Sequence, residues 1–149
     1  MAPEIFWRSS RWPAIATIAP AQHSATLVQS LSKDAAARLA AREHASVVMI
    51  ALTVPRSLWP QHLTGSGYLV PKPEQTAITA VSFASNKWSH VQTADNSMVL
   101  RVSLGRDGMP MHHLDDDTLL KLALADLYWH LGIEFAPTDV RITRWVDSF

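Results

Sequence analysis

The chain has 149 residues, enough for one ordinary domain and too few for two with separate cores. Hydrophobic residues make up 48% and charged residues 17%, which excludes disorder, and thirteen basic against thirteen acidic residues argue against general nucleic-acid binding. With no cysteine, disulfides, zinc–thiolate sites and thiol nucleophiles are excluded. No apolar run approaches the ~20 residues that cross a bilayer. Met1–Pro13 sets Glu4, Arg8 and Arg11 among aromatics and lacks the apolar centre of a signal peptide. The expectation is a soluble cytoplasmic protein, with peripheral membrane contact left open.

In chain order, residues 1–13 carry Phe6, Trp7 and Trp12 with no clear period and receive no assignment. Ala14–Ile18 is a short apolar run before Pro20 that predicts a buried strand. Ala21–Ala41 predicts two short helices, the second rich in alanine and capped by Ser32 or Asp34. Ser46–Thr53 is β-branched and apolar on both faces, as an interior strand is, and Pro55 and Pro60 end it. Tyr68–Val70 predicts a second strand, entered through Gly65 and Gly67. Thr76–Ser85 predicts a third, with Val81 and Phe83 on one face and Ile78 and Ala80 on the other.

Met98–Leu104 is the clearest strand. Met98, Leu100, Val102 and Leu104 share one face, and Arg101 and Ser103 the opposite one. Asp115–Leu131 predicts a long helix with an aspartate start, a Gly132 stop and a stripe of Leu120, Leu124, Leu127 and Leu131. Val140–Trp145 predicts a last strand. The pattern is α+β: a mixed or largely antiparallel sheet with helices on one side.

Five motifs occur in order: Gly-Ser-Gly-Tyr-Leu-Val-Pro at Gly65–Pro71, Ser-Asn-Lys-Trp at Ser85–Trp88, Leu-Arg-Val-Ser-Leu-Gly-Arg at Leu100–Arg106, Leu-Ala-Asp-Leu at Leu124–Leu127, and Arg-Ile-Thr-Arg-Trp at Arg141–Trp145. Together they resemble the middle of the oxygen-dependent protoporphyrinogen/coproporphyrinogen oxidases, flavoenzymes of haem synthesis within the flavin amine oxidase superfamily. The resemblance runs over residues 14–145. It implies that residues 14–44 are a remnant crossing from the flavin domain and that residues 45–149 are the substrate-binding domain. It also implies an intact enzyme that oxidises protoporphyrinogen IX or coproporphyrinogen III, passing electrons through FAD to O₂. The Gly-x-Gly-x-x-Gly turn that would hold FAD does not occur here, so the expectation is a portion of such an enzyme that is inactive alone.

A porphyrinogen is a broad, largely apolar macrocycle with carboxylates, so its site wants aromatic and aliphatic walls and a few cations. The resemblance places Tyr68 and Leu69 on the cavity wall, with Lys87, Trp88, Arg101 and Ser103 as further substrate contacts. It places Trp145 near the flavin. A structural reading stands beside each: Arg101 as a salt-bridged sheet arginine, Trp88 as core packing, Gly65 and Gly67 as turn residues.

Other clusters carry less. Adjacent His112 and His113 diverge and lack the i, i+4 spacing of a ligand pair, so Asp115, Asp116 and Asp117 read as a helix start and no metal is expected. Ser57 and Ser66 lie in no nucleophile elbow. Asp126 is expected to face solvent or pair with a cation, and Arg144 to meet an acidic neighbour. Two rival functions remain: a free-standing module for a porphyrin or another apolar carboxylate, and a portion of another flavin amine oxidase or desaturase. A missing flavin-domain partner, or self-association, would follow from uncovered apolar surface.

Overall fold

The computed structural model describes residues 20–148. The expected strand at Ala14–Ile18 and the aromatic N-terminal segment lie outside the described residues. The chain divides into two units between Arg42 and Glu43. In the first, α1 (Ala21–Val28) and α2 (Lys33–Ala40) form the two expected helices. Ser32 is the cap of α2, its Oγ accepting a hydrogen bond from the Ala35 amide at 3.2 Å.

The second unit is built on five strands: β1 (Val47–Val54), β2 (Gly67–Leu69), β3 (Ile78–Phe83), β4 (Met98–Leu104) and β5 (Asp139–Trp145). Their order in the sheet is β2-β3-β4-β1-β5, and every pairing is antiparallel. β1 therefore lies between β4 and β5, which is why its sequence is apolar throughout. Val48, Ile50, Leu52 and Val54 alternate onto one face and are fully buried beside Met98, Leu100, Val102 and Leu104 of β4. A short helix, α3 (Ala84–Lys87), follows β3 directly. The long helix α4 (Asp116–Leu131) adds Leu119, Ala123 and Leu127 to that core.

Two details differ from the expectation. Ile78 lies on the buried face with Val81 and Phe83, not opposite them. The cause is a bulge: Ile78 pairs with Leu104 and Ala80 with Ser103, so β3 spends two residues where β4 spends one. The α4 stripe also turns by one position. Leu119, Ala123 and Leu127 are buried, whereas Leu120, Leu124 and Leu131 are only partly covered. Leucines at 119, 120, 122 and 124 leave the phase of this helix open to packing.

The ends of α4 are as the sequence demands. Asp115 accepts hydrogen bonds from the Thr118 amide at 2.8 Å and its hydroxyl at 2.7 Å, which hold its carboxyl below the usual carboxylate range. Gly132 closes the helix at φ 68°, a left-handed conformation that glycine adopts freely.

Candidate functional site: the open face of the sheet

Alternation along each strand decides which side chains share the face opposite the core. Pairing sets them in rows. Leu69, Ala80, Ser103, Met49 and Thr143 make one row across all five strands. The adjacent row reads Gly67, Ser82, Arg101, Ala51 and Arg141. The face is flat and small-chained at Ala51 and Ala80, apolar at Leu69 and Met49, and cationic at Arg101 and Arg141.

Five of the expected site residues lie together on or beside this face. Arg101 reaches from β4 to Trp88, its Cζ 5.8 Å from the indole centre. Lys87 lies over the same ring, Nζ at 4.7 Å. Trp88 holds this place because α3 is tied to β4 by the Val99 amide, which donates to Ser85 Oγ at 2.9 Å. Ser103 sits one row away, its hydroxyl 3.8 Å from Met49 Sδ. Leu69 stands in the Ser103 row at the sheet edge and is 81% exposed.

Tyr68 and Trp145 are placed apart from that group. Tyr68 follows the opposite alternation: it pairs with buried Val81 and packs against the core. Its hydroxyl is 3.0 Å from His130 Nδ1, and its ring meets Phe83 edge-on. Burial, with a smaller contribution from the Asp126 charge, raises its phenol above the ordinary range. Trp145 shares the open face but pairs with Val47, roughly 13 Å along the strand from the Arg141 row.

A half-open cavity of about 300 Å³ flanks the β2 edge, lined by Tyr68, Leu69, Pro71, Glu74, Trp129 and His130 among others.

Three residues matter more than sequence reasoning foresaw. Asp126, expected at the solvent or beside a cation, accepts hydrogen bonds from Thr76 Oγ1 at 2.7 Å and from the amides of Ala77 and Ile78 at 3.0 and 2.9 Å. It fixes the start of β3 on α4. Nothing in the sequence pairs position 126 with position 77, since that distance closes only in the fold. Arg144 does meet an acid, Asp116 at 2.6 Å, and also bonds the carbonyls of His112 and Leu114 at 3.0 and 2.7 Å. Arg141 was legible only as part of a motif; the register puts it in line with Arg101.

No group of three or more His, Cys, Asp or Glu able to hold a metal occurs among the described residues. The described residues do not fit the pyrophosphate of a dinucleotide either. That needs a glycine-rich turn running from a parallel strand into a helix start. Here every strand pairing is antiparallel, and α4 begins with Asp115, Asp116 and Asp117, which would repel phosphate. The same residues include no helix long and apolar enough to cross a membrane.

Comparison with known proteins gives a consistent picture. Residues 14–149 match the family described as flavin containing amine oxidoreductase. Proteins named coproporphyrinogen III oxidase from Mycobacterium bovis and Mycobacterium tuberculosis H37Rv are each 36% identical over 141 residues, covering 93% of this chain and 30% of their own length. One of the same name from Bacillus subtilis is 26% identical over 136 residues, covering 91% and 29%. A crystal structure from Exiguobacterium sp. 255-15, described provisionally as a protoporphyrinogen oxidase, superposes with a TM-score of 0.67 at 26% identity. That superposition covers 86% of this chain and 27% of the solved one. The chain thus spans less than a third of the relatives it matches.

Proposed function

From the premise that the chain belongs to the flavin containing amine oxidoreductase family, we propose that it forms the substrate-side wall of a porphyrinogen oxidase acting on coproporphyrinogen III. The observation that carries this reading is the 36% identity, over 93% of the chain, to proteins named coproporphyrinogen III oxidase. The open sheet face supports it. Leu69, Ala80 and Met49 offer a flat apolar platform, and Arg101 and Lys87 beside Trp88 offer carboxylate partners. The chain's own part is to bind and orient the macrocycle and to keep water from one of its faces. FAD belongs to the whole enzyme in this reading, and its pyrophosphate is held by residues other than those described here.

The test is a graft. In the M. bovis enzyme, the 141 matched residues are replaced by this chain, and coproporphyrinogen III oxidation is followed by coproporphyrin fluorescence. The expected result is turnover by the chimera and none by this chain alone with added FAD. A folded, flavin-loaded chimera that oxidises amines and leaves coproporphyrinogen III untouched would sink the reading.

A further inference from the structure

We propose that Arg101 and Arg141 form two separated carboxylate stations, which select a tetrapyrrole bearing carboxylates on opposing edges over one whose carboxylates share an edge. The proposal rests on the porphyrinogen reading above and names the residues of the face that set its preference between macrocycles.

Register places the two arginines. Arg101 of β4 and Arg141 of β5 both pair with Ala51 of β1, one from each side. They share the open face, and two interstrand spacings set their Cα atoms roughly 10 Å apart. Between them stands only the methyl group of Ala51, so the floor is low and a broad macrocycle can lie across it.

Each station has free donors. Among the described residues no carboxylate lies within ion-pair distance of Arg101 or Lys87, although both crowd the same indole. Two cations on one ring, unneutralised, are a place prepared for an anion. Arg141 meets Asp139 through Nε, at 3.2 Å, and its two terminal amines have no partner among the described residues. That pair is exposed and costs little to loosen. The strands of this face thus set Arg101 and Arg141 against the single acid Asp139, with Lys87 alongside.

The chemistry of the two macrocycles makes the distinction. Coproporphyrinogen III carries a propionate on every pyrrole, so carboxylates reach both stations at once. Protoporphyrinogen IX carries propionates on two neighbouring rings and vinyl groups on the others. When its carboxylates occupy one station, a vinyl faces the other and desolvates an arginine without pairing it. The tetracarboxylate is therefore favoured.

The experiment titrates this chain with coproporphyrin III and with protoporphyrin IX in one detergent buffer, following porphyrin fluorescence, with circular dichroism as the folding control. Wild type is expected to prefer coproporphyrin III. Arg141→Gln should weaken coproporphyrin III by about fivefold, since one exposed charge pair is lost, and should not weaken protoporphyrin IX, which no longer desolvates an unpaired arginine. Arg101→Gln should weaken both. Asp139→Asn, which releases Arg141, should strengthen coproporphyrin III alone. Equal binding of the two porphyrins, unmoved by Arg141→Gln and Asp139→Asn, overturns the proposal and leaves the porphyrinogen reading standing. Absence of binding for either porphyrin by the folded wild-type chain overturns both.

Discussion

The carboxylate of Asp126 holds the Thr76 hydroxyl and the amides of Ala77 and Ile78, and both of those residues are buried in the core. Asp126→Ala would strand two amides with no acceptor. Hydrogen bonds to a charged group are worth about 1.5–3 kcal/mol each, and a stranded amide costs its desolvation, so a loss of about 3 kcal/mol is expected. Urea denaturation measures it directly, and Asp126→Asn, which keeps one acceptor oxygen, should lose less. An unchanged midpoint for Asp126→Ala would mean that water replaces the carboxylate. Tyr68 gives a second prediction, this time in pH. Burial, then the Asp126 charge, raises its phenol in the folded state, so the folded chain keeps that proton longer than the unfolded chain does. The stabilisation is complete below the unfolded value of about 10 and is lost as pH rises above it. Tyr68→Phe should therefore flatten the fall in urea midpoint above about pH 10. A mutant that loses stability there as steeply as wild type would show that Tyr68 ionises unhindered.

Among the elements, β2 depends on one backbone position. Gly67 has φ 144°, and a Cβ there would collide with the Val81 carbonyl oxygen across the β2–β3 pair. Gly67→Ala is expected to part the two strands locally. The amides of Val70 and Phe83, which bond Thr79 and Ser66 across that pair, should then exchange with solvent far faster than those of β1. Equal protection in wild type and mutant would show that the edge tolerates the side chain. Gly65 is different: a Cβ meets nothing within 4 Å, so the first glycine of the motif is not required by the local packing. This contrast shows what the sequence made legible. Strict alternation in Met98–Leu104 foretold both faces of β4, and aspartate and glycine marked both ends of α4. The inward turn of Ile78 was hidden because a bulge interrupts the period of two, and the phase of α4 was hidden because leucines occupy too many of its faces. Of the site, the Lys87–Trp88 motif was readable and its meeting with Arg101 was not. The same holds for the alignment of Arg101 with Arg141, since both depend on register between distant strands.

At the scale of the whole molecule, the core formed by the described residues of the second unit lies on one side of the sheet, while large apolar groups remain at its margin. Leu69 is 81% exposed and Trp129 is 85% exposed, and both line the half-open cavity beside β2. Tyr128, adjacent on α4, is 59% exposed. Clustered apolar surface of this kind marks a contact in most soluble proteins. The chain spans less than a third of its relatives, and the proposed whole enzyme has the rest of its mass with which to cover such a margin. Among the described strands β2 is also at the edge of the sheet with one side unpaired, which adds backbone donors and acceptors to the same margin. Alone in solution, the chain is therefore expected to associate with itself through this edge. Sedimentation velocity across a hundredfold range of concentration should show a rising weight-average mass. The double substitution Leu69→Ser and Trp129→Ser should hold the chain monomeric, with an unchanged circular dichroism spectrum, since neither side chain belongs to the core. If wild type stays monomeric throughout, the aromatic margin is not cohesive, and its exposure contributes nothing to assembly. If wild type associates and the double mutant does so equally, the contact lies elsewhere, and the arginines and apolar rows of the open sheet face become the surface to substitute next.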